Sequence, residues 1–119
     1  MAIAVNYAKT VRYVVSRERA LPKEKQTVYI LKPRSIAGGR AVAQAFKESG
    51  FDAIIAQLRY TLAGWENLLE ANGHPAEFKK DQAGLATEET LSRIPEKDRE
   101  ELAFSPEIER ALSEADVGN

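Results

Sequence analysis

The chain has no cysteine and only one histidine, one tryptophan and one methionine among its 119 residues. Without cysteine there is neither a disulfide framework nor a thiolate metal site. The lone histidine, His74, leaves little scope for imidazole chemistry, because a metal centre needs several converging ligands. Long apolar runs are missing as well: nothing approaches the roughly 20 residues of a membrane-spanning helix. The opening MAIAVNYAKTVRYVV has no basic segment ahead of an extended apolar core, so it does not read as a signal peptide. The expectation is a cytoplasmic protein with no membrane contact and no cofactor.

The hydrophobic fraction of 44% and charged fraction of 29% are those of an ordinary globular chain. At this length one domain over 1–119 is expected, with the ends, 1–10 and 115–119, flexible. A chain of this size buries roughly 65% of its unfolded surface, enough for one modest core.

The net charge of −1 conceals a division. Residues 1–60 carry eleven Lys and Arg against four acids, a net +7; residues 61–119 carry six against fourteen, a net −8. Three readings compete. The halves neutralise one another within one fold; identical subunits pack basic face on acidic face; or the basic half meets nucleic acid. The sequence pI of about 5.9 argues against nucleic acid, which favours a basic domain. Lys23, Lys25, Lys32 and Arg34 flank a strand and read as protection of its edge.

The pattern along the chain predicts an α+β fold. VRYVV (11–15) and TVYILK (27–32) are β-branched and aromatic and pair as an N-terminal β-hairpin across the exposed charged loop RERALPKEKQ. Pro33 stops the second strand. Ser35 is the candidate N-cap of a helix whose secure part is 40–47, with Val42 and Phe46 on one face. Gly38 and Gly39 count against an earlier start, and Gly50 is placed as a left-handed C-terminal cap. Phe51, Ile54, Ile55, Leu58 and Leu62 form the stripe of a second amphipathic helix, capped by Gly64. A short β-hairpin over 65–78 follows: a strand at 65–69, the turn dipeptide Asn72-Gly73, and a return through Pro75 to Phe78. Short C-terminal helices begin at Thr87, Pro95 and Ser105-Pro106, with Leu102, Phe104, Ile108, Ala111 and Leu112 inward.

Little of this points to catalysis. His74 sits in the predicted turn and reads as a solvated turn residue. Glu100 and Glu101 occupy consecutive helical positions, about 100° apart, and do not share a proton site. Ala37-Gly38-Gly39-Arg40 resembles a phosphate-binding helix entry but lacks the lysine and the glycine spacing of the known phosphate loops. Trp65 opens a strand straight after a helix, where its ring bridges the two elements. Core packing is the first reading and an interface anchor the second.

The block LRYTLAGWENLLEANGHPAEF (58–78) carries a resemblance. Gly64, Trp65, Glu66, Asn72, Gly73 and Phe78 match a pattern of Gly-Trp, an acidic residue, a short strand, an Asn-Gly or Asp-Gly turn and a phenylalanine. In this the chain resembles a diffuse group of small tailed-bacteriophage morphogenesis proteins, tail assembly chaperones among them. The order of elements agrees over roughly 20–119, and the specific part is this single block. The family supplies no catalytic residue. The resemblance implies a non-enzymatic assembly factor in the host cytoplasm whose partners are other phage structural proteins of tail or head. Its alternative is a permanent virion component, a head–tail connector or head-stabilising protein, packing as a ring or lattice through its oppositely charged halves. The candidate structural or interface residues are Phe51, Ile55, Leu58, Leu62, Trp65 and Phe78. No metal is expected.

Overall fold

The computed structural model describes residues 10–117, with backbone alone from 115. Strands β1 (Val11–Tyr13) and β2 (Val28–Leu31) run antiparallel, Arg12 opposite Ile30 and Tyr13 opposite Tyr29. A third antiparallel strand, β3 (Leu62–Glu66), joins the other edge of β2, giving the order β1-β2-β3. With five α-helices beside this sheet among the described residues, the fold is α+β. The expected flexibility at 1–10 and 115–119 falls almost wholly outside the described residues.

Alternation sorts the two faces of the sheet. Tyr13, Tyr29 and Trp65 align as one row, and Val11, Leu31 and Leu62 as the next. These rows meet the helices in a core completed by Val15, Leu58, Leu91, Ile94, Leu102 and Ile108. Each fully buried aliphatic residue contributes about 1.5–3 kcal/mol. On the opposite face Arg12 reaches across β2 to Glu66, with nitrogen–oxygen distances of 2.9 and 2.6 Å.

The charged connection between β1 and β2 contains two single turns of 3-10 helix, Ser16–Glu18 and Lys23–Lys25. The sequence reading made it an exposed loop, and most of its side chains are exposed. The connection is nevertheless tied down. Buried Glu18 accepts the Thr27 amide at 2.7 Å, and the Gln26 side chain donates to the carbonyls of Arg19 and Leu21. Asn67, the residue after β3, clamps it by donating to the carbonyls of Glu24 and Gln26. Asn67 is the one non-glycine with positive φ (63°) among the described residues, a conformation asparagine tolerates.

Helix α1 (Ile36–Phe46) starts at the expected cap, Ser35 accepting the Gly38 amide at 3.0 Å. The glycine pair therefore lies inside the helix. Space explains Gly38: a Cβ there would meet Arg34 Cγ at 2.7 Å and Tyr60 Cγ at 2.8 Å. Helix α2 (Gly50–Thr61) follows a short turn and is capped by Ser49, which accepts the Asp52 amide at 3.0 Å. Gly50 thus opens the second helix and does not close the first.

Leu62 and Gly64 also correct the sequence reading. The chain leaves α2 at Thr61 and enters β3 with no loop between, so Leu62 belongs to the strand and Gly64 sits mid-strand opposite Ile30. Leu31 faces Leu62 while Ile30 faces Gly64, making Ala63 the extra residue of a β-bulge. The strand expected at 65–69 accordingly lies three residues earlier. Beyond it the hairpin around Asn72-Gly73 is a single antiparallel bridge, Leu69 with Pro75. Its turn is closed by Gly73 N–H to Glu70 O at 2.8 Å, and only Gly73 takes positive φ. That is a turn followed by a left-handed glycine, where the dipeptide alone pointed to positive φ at both positions.

The C-terminal helices are α3 (Glu88–Leu91), α4 (Glu96–Phe104) and α5 (Pro106–Val117). Thr87 and Ser105 cap α3 and α5 as expected, accepting amides at 3.1 and 3.2 Å. Pro95 immediately precedes α4 in extended conformation.

Candidate protein-binding surface

Three of the four phenylalanines gather where the α1–α2 turn lies over α4. Phe46 is the last residue of α1 and Phe51 the second of α2, so the Lys47–Ser49 turn brings both to one end of the helix pair. Phe46 is 57% exposed and Phe51 is 55% exposed. Phe46 lies against Phe104 with ring centroids 5.5 Å apart. The Arg99 guanidinium sits 6.0 Å from the centre of the Phe51 ring. Beside Phe51 is a hollow of about 290 Å³ lined by Gly50, Phe51, Ile54, Glu96, Arg99 and Glu100. Apolar centre, aromatic anchors, one arginine and a charged rim are the composition of a protein-binding patch.

Local packing explains why these rings stay outside. Val42 and Ala53 are buried in α1 and α2, together with Gly38. The small residues let the helices approach closely and leave no slot for a ring. Val42 and Phe46 share one face by helical spacing, yet Val42 is buried and Phe46, one turn further on at the end of α1, is exposed.

The residues singled out in the sequence fall into four groups. Leu58 and Leu62 are fully buried and belong to the core. Ile55 is half-buried against it. Trp65 and Phe78 pack edge to face at 5.0 Å, and Trp65 Nε1–H donates to the Ala76 carbonyl at 2.9 Å, so this pair pins the hairpin to the sheet. Phe51 alone remains at an open surface. Phe46, Ile54, Arg99 and Phe104 were missed. The available signal was a pair of phenylalanines flanking the Ser49 cap.

A second groove, of about 370 Å³, lies between α5 and the connection from β2 to α1. Pro33 and Arg34 line one side, Glu109, Leu112 and Ser113 the other, and Gln57 and Phe104 lie between. Arg34 is held there by donating to the Gln57 side-chain oxygen at 2.7 Å.

The polar clusters elsewhere are engaged in the fold. His74 lies in an exposed turn, its amide bonded to the Asn72 side chain at 2.9 Å. Nearby Glu70 and Glu89 are bridged by Arg93 at 3.2 and 3.7 Å. Among the described residues no group of three His, Asp or Glu is placed to hold a metal. Glu100 and Glu101 diverge as their spacing requires: Glu100 edges the Phe51 hollow, while Glu101 accepts from the Tyr13 hydroxyl and from the amide and hydroxyl of Ser16. Burial raises the Glu101 carboxyl, but these donors outweigh it and hold it below the usual range. Burial, then the Glu101 contact, pushes the Tyr13 phenol up. Asp98, buried at the start of α4, takes a side-on pair of bonds from Arg17 at 3.0 and 2.6 Å.

No helix of the described residues is long and apolar enough to cross a membrane. No protein-family model, curated protein or solved structure matches the chain.

Proposed function

We propose that this chain is a non-enzymatic bacteriophage morphogenesis protein that works through protein–protein contact in the host cytoplasm. Its role is that of a chaperone-like factor in tail assembly. The Phe46–Phe51 patch supports this reading: two half-exposed aromatic rings side by side at one end of the helix pair, beside an apolar hollow. Such a patch shields apolar surface on an unassembled partner and releases it as assembly buries that surface. The Gly-Trp block adds the phage context, and its part in this chain is architectural.

A permanent virion protein is the second reading, favoured by the opposite charges of the two halves. Part of that charge is used internally. Arg12, Arg17, Arg19 and Arg59 pair with Glu66, Asp98, Glu107 and Asp81 across the halves. Mass spectrometry separates the two: a chaperone is present in infected cells and absent from purified virions, whereas abundant virion copies refute it. For the patch, Phe51→Ser should leave the circular dichroism spectrum unchanged and abolish co-purification with the tail-tube or tape-measure protein. Retained co-purification rejects this surface.

A further inference from the structure

The hollow beside Phe51 is apolar on its α2 side and charged on its α4 side. Phe51 and Ile54 lie three apart on α2, on one face, and Gly50 next to them leaves open space where a side chain would stand. Glu96, Arg99 and Glu100 stand at positions i, i+3 and i+4 of α4, so one face of that helix supplies all three. The volume, about 290 Å³, falls below the roughly 300–1,000 Å³ of small-molecule sites and suits a single inserted side chain.

The three charges are not equivalent. Arg99 is half-buried and lies over the Phe51 ring, its guanidinium 6.0 Å from the ring centre. Glu96 and Glu100 are exposed, and among the described residues neither forms a salt bridge. Glu96 is in the first turn of α4, where the helix dipole favours an acid. Glu100 is one turn further on, where the dipole no longer helps and a like charge four residues away is unfavourable. Nothing within the molecule accounts for an acid at that position.

Two uncompensated carboxylates beside an open apolar hollow are the complement of an apolar side chain with a cation next to it. We propose that the Phe51 hollow receives a leucine or phenylalanine from a basic amphipathic segment of the partner protein, with a lysine or arginine of that segment seated against Glu96 and Glu100. This partner chemistry rests on the reading of the Phe46–Phe51 patch as the partner-binding surface. An acidic segment is disfavoured, because the two carboxylates outnumber Arg99, which is already engaged with the ring. The hollow supplies contact area, and the carboxylates select the sign of the charge that approaches and set its register.

Fluorescence anisotropy of the full chain tests this with two labelled amphipathic peptides. They share their leucine and phenylalanine positions; one has lysine and the other glutamate at every charged position. The lysine peptide should bind about tenfold or more tightly than the glutamate peptide, and added salt should narrow the gap. Glu100→Lys should weaken the lysine peptide by about tenfold and reduce or reverse the preference. Phe51→Ser should weaken both peptides. Glu24→Lys makes the same charge change on the β1–β2 connection and should leave the preference intact. Circular dichroism checks that the variants fold. Equal binding of the two peptides, binding of neither, or a preference unchanged by Glu100→Lys overturns the proposal, as does an equal loss in Glu24→Lys. If the preference is absent while Phe51→Ser still abolishes co-purification, the patch stands as a binding surface and its selection of a basic partner falls.

Discussion

Gly38 and Gly39 are neighbours in α1 with opposite surroundings. At Gly38 the Arg34 stem and the Tyr60 ring occupy the space a Cβ would take, 2.7–2.9 Å away. At Gly39 the nearest atom is Arg34 Nε at 3.7 Å, an ordinary contact. Alanine gains about 1 kcal/mol of helix propensity at either site. At Gly38 that gain is set against an overpacking cost of about 1–3 kcal/mol, because Tyr60 is met at its Cβ and Cγ and moves only with its backbone. Gly39→Ala should therefore stabilise the protein by about 0.5–1 kcal/mol. Gly38→Ala should destabilise it by about 1 kcal/mol net. Urea denaturation of the two variants side by side checks the sign. Equal effects at both sites would mean that α1 is free to shift away from Tyr60.

Among the elements, β3 and the hairpin after it show what sequence pattern reveals and where it misleads. Helix caps at Ser35, Thr87 and Ser105 and the pairing of β1 with β2 were legible, because a capping hydroxyl or a β-branched run acts locally. The junction of α2 and β3 was not. Leu58, Leu62 and Trp65 are spaced 4 and 3, which reads as one helix face. In the fold Leu58 is helical, and Leu62 and Trp65 share a strand face only because the bulge at Ala63 lengthens the inward spacing from two to three. The binding surface was less legible still. Phe51 belongs by spacing to the same stripe as Leu58, and burial separates them only once α4 is in place. Trp65 is the joint between sheet and hairpin, through its ring on Phe78 and its bond to Ala76. Trp65→Ala leaves the Ala76 carbonyl without that donor and opens space beside Phe78. A cost of about 3 kcal/mol is expected, at the low end for a large aromatic because the ring is half-buried. Phe78→Leu keeps apolar volume and should cost less, about 1 kcal/mol. Thermal unfolding ranks them; a Trp65→Ala melting temperature equal to wild type would place Trp65 outside the structural framework.

At the level of the whole molecule, charge ties the N-terminal half to the C-terminal half, and acid should loosen it. Three carboxylates are held below their usual range. Glu66 is lowered first by the Arg12 bond, Asp81 by the Leu85 amide and then by Ala83 and Arg59, and Glu101 by Tyr13 and Ser16 against its own burial. Unfolded, such groups titrate near 3.9 for Asp and about 4.3 for Glu. Between the folded and unfolded values the unfolded chain binds more protons, so stability rises with pH there. Their contribution is complete above about pH 4.5 and is lost as pH falls through the folded values. The three do not count equally. The Arg12–Glu66 pair is more than half exposed on both sides, where solvent screens it and its contribution is small. Glu101 joins β1, the charged connection and α4 through three donors in a partly buried site, and should dominate. Glu101→Gln cannot ionise. It should lower the urea midpoint at about pH 6 and flatten its decline between about pH 4.5 and about pH 3. Measured at constant ionic strength, a decline as steep in Glu101→Gln as in wild type would shift the acid dependence to Asp81 and Glu66. Arg59→Gln and Arg12→Gln would then be the variants that flatten it.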